Sequence, residues 1–344
     1  MKKLLYLFLV ISAIFISCEK DGIEGPSLND LFGELNVLEA FTVVNDSAVF
    51  NSESAYFTAK FSKIVDWKIS IIGLSSGAEK VILGKSNEIN ASNSIWRGEV
   101  TSLPFFIEES CAVKLTFPSH SDTAYGSFVI NGAKIYGDGT EAVIADFEGG
   151  WNPNLDYYFN AGQVRTIVST GAGQGSKYLK QESSPNGCHW DWLIGYVDYE
   201  KPFWLDQKVL SANPDDVYFN IMIFGDSTLS PQNVPNSLFK LEFYEDENQD
   251  GFWSQSSEDM LFHEFLVDWK GWRMVSLKYS ELEISSGSGN KIREPNKIYS
   301  VKTLLLADPY ELDDTHPDFT DCSGFAKADV DYIVWSEGSA ILNQ

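Results

Sequence analysis

Cys111-Ala112-Val113-Lys114-Leu115-Thr116-Phe117 decides the fold class. Apolar side chains stand at every second position and polar or small ones between them, and residues two apart in a strand share a face. Two other stretches repeat the pattern. Tyr56-Phe57-Thr58-Ala59-Lys60-Phe61 sets Phe57, Ala59 and Phe61 on one side, and Asp66-Trp67-Lys68-Ile69-Ser70-Ile71 does the same for Trp67, Ile69 and Ile71. Gly, Ser, Asn and Pro break the runs, so residues 37–137 read as short antiparallel strands with one wet face. No helical period competes, and an immunoglobulin-like sandwich is the expected build. Trp67 and Trp96 are expected in its core, Cys111 is expected to be a buried thiol, and the domain offers no chemistry beyond that of a spacer.

Tyr136-Gly137-Asp138-Gly139-Thr140 reads as a linker. Beyond it, residues 138–344 alternate between apolar runs and long loops rich in Gly, Asn and Pro. Strands are expected at Val143–Glu148, Val217–Phe224, Phe239–Glu245, His263–Val267, Trp272–Leu277, Val301–Leu306 and Val330–Trp335. Strands of this kind with loops of this size point to a jelly roll. The whole chain is therefore read as all-β, in two domains.

Composition narrows the partners. Asp and Glu number 49 against 25 Lys and Arg, for a net charge of −24. Nucleic acid, anionic lipid surfaces and sulfated or uronic polymers are disfavoured by that charge. Aromatic residues make up 14% of the chain, with 10 Trp, which suits a neutral ligand with flat apolar faces.

At the N-terminus, Lys2 and Lys3 precede the apolar run Leu4–Ile16, too short for a membrane span but right for a secretory signal. The run closes in Ser17-Cys18 and resembles a bacterial lipoprotein cleavage site, which implies removal of residues 1–17 and acylation of Cys18. Residues 18–36 then form a polar tether. Its Glu19 and Asp21 resemble the export signal of Bacteroidetes surface lipoproteins.

Three motifs in the second half carry a further resemblance. Ala145-Asp146-Phe147-Glu148-Gly149-Gly150 opens the domain, Gly271-Trp272-Arg273-Met274-Val275 stands in its middle, and Asp329-Val330-Asp331-Tyr332-Ile333-Val334-Trp335 closes it. Together they resemble carbohydrate-binding modules of the galactose-binding-like jelly-roll type. With the lipoprotein start and the spacer, the chain is similar to Bacteroidetes surface glycan-binding proteins. That resemblance implies an outer-membrane, cell-surface location beside a SusC/SusD-type transporter, and a plant or algal polysaccharide as ligand. It also implies a structural Ca²⁺ between Glu148 and Asp331.

Glycan binding needs rings that stack on sugar CH faces and polar groups that meet hydroxyls. Loop aromatics are the candidates: Trp151, Tyr157, Trp190, Trp192, Trp204 and Trp253, with His189 and Asp191 as hydroxyl partners. Trp190 and Trp192, two apart, would share a side. Burial in the core is the alternative for each. Trp269, Trp272 and Trp335, inside strand patterns, are expected in the core. Asp246-Glu247-Asn248-Gln249-Asp250-Gly251 places oxygen ligands at positions 1, 3 and 5 and Gly at 6, as a Ca²⁺ loop does, with Glu258 and Asp259 just beyond the usual closing position. The same residues suit a plain hairpin turn, since Asp-Gly is a turn dipeptide. Cys188 and Cys322 fall in one exported domain, where a disulfide could form.

Catalysis is disfavoured. Glu242-Phe243-Tyr244-Glu245-Asp246-Glu247 lacks the Glu-x-Asp-x-x-Glu of laminarinase-type jelly-roll hydrolases, and Tyr158-Phe159-Asn160 only faintly resembles a strand of jelly-roll lyases. A glycoside hydrolase, a polysaccharide lyase and an adhesin remain the alternatives to a non-catalytic binding protein.

Overall fold

The computed structural model describes residues 34–137, 142–159, 164–183, 193–200, 209–226, 237–285, 288–307 and 326–342. Cys18, Cys188, His189, Trp190, Asp191, Trp192, Trp204 and Cys322 lie outside them. The protein is built almost wholly from β-strands, as the alternation requires. Among the described residues no helix is long and apolar enough to cross a membrane.

The first domain holds β1 (Val37–Val44), β2 (Ser47–Val49), β3 (Tyr56–Gly73), β4 (Glu79–Ile89), β5 (Ser110–Phe117) and β6 (His120–Gly132). One sheet runs β1-β3-β5-β6-β2, with β4 on the other side of β3. The two stretches read separately from sequence are one strand. Phe57, Ala59, Phe61, Val65, Trp67, Ile69 and Ile71 stay in phase along β3 and are all buried. Each large side chain so buried contributes ~1.5–3 kcal/mol against its exposed state. Cys111, Val113, Leu115 and Phe117 are buried as expected, and Cys111 is a free thiol. Trp67 and Trp96 are sealed in the core, where Trp96 packs edge-on against Phe50 and Phe128.

The second domain is a jelly-roll sandwich of two sheets. The rear sheet contains β7 (Val143–Ala145), β9 (Val164–Val168), β10 (Tyr178–Ser183), β12 (Val217–Asp226), β15 (Lys270–Lys278), β18 (Ala326–Lys327) and β19 (Asp329–Glu337). The front sheet runs β16 (Glu283–Ile284), β14 (Met260–Leu266), β13 (Ser237–Glu245), β17 (Ile298–Ala307), β11 (Leu193–Glu200), β8 (Asp156–Phe159). The pairings in both are antiparallel. Between them Phe219, Phe243, Tyr279 and Trp335 form an edge-to-face aromatic core, so Trp335 is interior as expected. Trp269 and Trp272, expected in the core, are instead half-buried, Trp269 against Phe265 and Trp272 against Tyr178 and Phe224; their indole N–H groups donate to Ile223 O at 3.3 Å and Gly171 O at 2.7 Å.

Tyr136, where the sequence suggested a linker, is buried between the domains. Its ring stacks on Phe105 at 3.7 Å, and its carbonyl accepts the Tyr332 hydroxyl at 2.9 Å. Phe105 N–H also donates to Gly173 O at 2.8 Å.

Candidate functional site

Strand pairing builds a chemical surface on the outer face of the front sheet. Directly opposed residues in an antiparallel ladder point to the same side. One row across the sheet is therefore Asp156, Asp198, Lys302, Glu242 and Phe262. The next contains Tyr158, Tyr196, Leu304, Lys240 and Glu264, and the third Glu200, Ser300, Tyr244 and Met260. The alternate positions, Val197, Tyr199, Phe239, Leu241, Phe243, Val301 and Leu305, are buried inside the sandwich. The sheet thus has an apolar inner face and an aromatic, charged outer one.

A groove of about 280 Å³ lies on this face, lined by Asp156, Asp198, Glu200, Tyr244, Phe252, Trp253, Tyr299 and Lys302. Its rings are held in place. Trp253 meets Tyr244 edge-on at 4.6 Å, and its indole N–H donates to Asp259 O at 3.1 Å. The Tyr244 hydroxyl donates to Glu242 at 2.5 Å, while Tyr158 stacks on Tyr196 at 6.1 Å. Lys302 spans the floor, with its ammonium 4.7 Å from the Tyr196 ring centre and 5.1 Å from that of Tyr244.

Carboxylates outnumber cations in the groove, where Asp156, Asp198 and Glu200 stand beside Lys302, and two ion pairs cross this face. Lys302 pairs with Asp198 at 3.0 Å, and Lys240 with Glu242 at 3.1 Å. Burial lifts the Asp198 carboxyl above its ordinary range although Lys302 pulls the other way. Burial works against the Lys302 charge, yet Asp198 outweighs it and holds the ammonium above its ordinary value. Burial first, and then nearby carboxylates, also raise the Tyr196, Tyr244 and Tyr299 phenols. All three remain neutral hydroxyls at physiological pH, able to donate and accept.

Of the sequence candidates, Trp253 enters this groove. Trp151 and Tyr157 do not, because alternation along β8 turns Tyr157 away from Asp156 and Tyr158. They gather with Phe159 around Arg165 of β9, whose guanidinium lies 4.3, 4.1 and 5.0 Å from the three ring centres. Trp151 also lines a separate cavity of about 310 Å³ with Phe147, Leu155 and Tyr199. The sequence reading missed Tyr196, Asp198, Tyr244, Phe252, Tyr299 and Lys302. Its available signal was Tyr196-Val197-Asp198-Tyr199-Glu200, a polar-facing alternation.

The carboxylates read as calcium ligands serve backbone N–H groups. Asp246 accepts from Asp250 N at 3.0 Å and Gly251 N at 2.8 Å, and the Asn248 side chain accepts from Asp250 N at 2.8 Å. Asp250 accepts from Phe252 N at 3.0 Å. Glu258 holds Asn248 N and Ser254 N, and buried Asp259 takes Lys291 Nζ at 2.9 Å. Glu148 and Asp331 do share a neighbourhood. Glu148 brackets Ser176 N and Lys177 N, each at 2.7 Å, and Asp331 brackets Gly173 N at 2.9 Å and Gln174 N at 2.8 Å. Burial, with a contribution from Glu148, pushes the Asp331 carboxyl up to about 8. Among the described residues no three His, Cys, Asp or Glu side chains converge as metal ligands do.

No family model matches the sequence, and no curated protein matches it. Some solved structures are similar at a low level. SGBP-B from a complex xyloglucan utilization locus in Bacteroides uniformis is 10% identical, covering 83% of this chain and 79% of that one, with a TM-score of 0.37. The CBM22-2 xylan-binding domain of Xyn10C from Paenibacillus barcinonensis is 14% identical over 56% of this chain and 97% of that one, with a TM-score of 0.29. The glycoside hydrolase domain of Endo-D from Streptococcus pneumoniae is 11% identical over 53% of this chain and 21% of that one, with a TM-score of 0.30. These likenesses are slight, and the geometry of the groove is the firmer guide to function.

Proposed function

We propose that the protein binds a neutral polysaccharide of plant or algal type in the groove of the front sheet, without cleaving it. The observation that carries this reading is the fixed set of rings, Tyr158, Tyr196, Tyr244 and Trp253, standing over a floor of paired charges. Stacking faces and neutral phenol hydroxyls suit sugar rings, and the rings lose little rotamer freedom on binding. Anionic polymers would meet Asp156, Asp198, Glu200 and Glu242. Binding without hydrolysis is supported by the partners that two of these carboxylates already hold. Hydrolysis needs an acid and a base or nucleophile flanking the scissile bond, ~5–10 Å apart, whereas Asp198 is tied to Lys302 and Glu242 to Tyr244 and Lys240. The lipoprotein-like Ser17-Cys18 and the acidic residues after it support attachment at the outer surface of the outer membrane. There the protein would deliver captured glycan to a SusC/SusD-type transporter.

Affinity gel electrophoresis against a panel of neutral plant and algal polysaccharides tests the reading. At least one should retard the wild-type protein, and Trp253→Ala should weaken that retardation about tenfold, equivalent to ~1.4 kcal/mol. Retardation by none of them, with tryptophan emission unchanged on adding each glycan, would refute it.

A further inference from the structure

The hairpin between β13 and β14 keeps an apolar ring in water and holds it there. Phe252 is 71% exposed. The loop backbone that carries it is braced: Asp246 bonds the N–H groups of Asp250 and Gly251, Asp250 bonds that of Phe252, and Trp253 is tied to Asp259. A loop braced this way presents a fixed surface on both sides. On one side lies the groove already described. On the other is a second hollow of about 580 Å³, whose lining includes Asp246, Gln249, Gly251, Asn296, Lys297 and Tyr299. Tyr299 lines both hollows, and Gly251 and Phe252, which border one each, are consecutive.

We infer that the second hollow is a further saccharide subsite, continuous with the groove past Phe252 and Tyr299, so that the ligand is a glycan longer than the groove alone can hold. The inference rests on the reading of the front face as a glycan groove. Its chemistry matches a hydroxyl-rich, uncharged chain. Gln249 and Asn296 carry amides that both donate and accept. The Lys297 ammonium in the lining is paired with Glu294 at 2.8 Å, and Asp246 disfavours an anion there. Phe252 at the junction supplies a stacking face for the sugar that crosses from one hollow to the other.

The test is isothermal titration calorimetry on the full chain. The probe is a ladder from disaccharide to octasaccharide, prepared by partial acid hydrolysis of whichever panel polysaccharide retards the protein most. Wild-type affinity should climb about tenfold or more once the oligosaccharide outgrows the groove, then level off. Gln249→Ala and Asn296→Ala, which touch only the second hollow, should abolish that climb while leaving affinity for the shorter members unchanged. Trp253→Ala should weaken every length that binds. Thermal midpoints equal to wild type confirm that the exposed-residue variants fold. A wild-type affinity already level at the shortest binding member, or Gln249→Ala and Asn296→Ala affinities both equal to wild type for the octasaccharide, overturns the second subsite and leaves the groove standing. Normal binding by Trp253→Ala at all lengths, or no retarding polysaccharide at all, overturns the groove and the subsite together.

Discussion

Glu245 ends β13 as a fully buried carboxylate whose two oxygens are unequally served. Its Oε1 accepts the Tyr279 hydroxyl at 2.8 Å and Glu294 N–H at 2.6 Å, while its Oε2 is buried without a hydrogen-bond partner among the described residues. Burial pushes the carboxyl up from 4.5 to about 7, against the pull of the Tyr279 and Glu294 hydrogen bonds and with a smaller contribution from the Glu294 and Asp259 charges. Between those two values the native state holds a proton that the unfolded chain has released, so stability falls as pH rises through this window. At ~1.36 kcal/mol per pH unit the full penalty is about 3 kcal/mol, reached above pH 7. Glu245→Gln is neutral throughout, keeps an oxygen for both donors and mimics the protonated acid. The variant should match wild type near pH 4 and exceed it by about 3 kcal/mol at pH 8. Urea denaturation of both proteins at the two pH values measures the difference and cancels other buried acids, such as Asp331, that shift in the same direction. Parallel stability profiles for the two proteins would falsify the claim that this carboxylate is strained by burial.

Three further outcomes are expected. Gly84 faces Trp67 across β3 and β4, and a Cβ there would lie 2.0 Å from the buried indole; Gly84→Ala should cost about 3 kcal/mol by overpacking, and a thermal midpoint equal to wild type would contradict the packing described. Arg165→Ala removes the cation from among Trp151, Tyr157 and Phe159 and should cost about 2 kcal/mol in urea denaturation, with Arg165→Lys restoring little because the planar guanidinium is what stacks. Asp246→Ala frees the N–H of Gly251 and leaves that of Asp250 to Asn248 alone, and should cost ~1 kcal/mol equally with calcium or with chelator; a cost that appears only in calcium would mean that the hairpin wraps an ion.

The strands that bury one full face were legible because burial imprints a period of two on a single strand. Phe57 to Ile71 and Cys111 to Phe117 show it, whereas the runs that became β12, β17 and β19 are buried at most positions and read as continuous apolar stretches. The strands β8 to β11 were not read, since short runs such as Asp156-Tyr157-Tyr158-Phe159 carry polar and aromatic residues on both sides. The groove was hidden for a different reason. Asp156, Asp198, Lys302 and Glu242 are neighbours only through register, and pairing between distant segments leaves no mark in one sequence. The run Asp246 to Gly251 suits two chemistries, a calcium loop and a hydrogen-bonded hairpin, that use the same residue types. Asp and Asn side chains that bond the N–H two or more positions ahead produce the same spacing as oxygen ligands around an ion. Trp253 was found because a loop tryptophan beside an acidic hairpin is conspicuous; Tyr244 was passed over because a strand tyrosine reads as core, and Tyr196 because its strand was not read.

The ring stack at Tyr136 has a mechanical consequence. Relative motion is the default between domains that meet through small polar contacts, but here Phe105, Tyr136 and Tyr332 interlock at the junction. A tug on a glycan lying in the groove would pass through those rings into the first domain as through a welded bracket. The two domains would swing together as one lever, and the angle at which the groove meets the polymer would be set at the far end of the first domain.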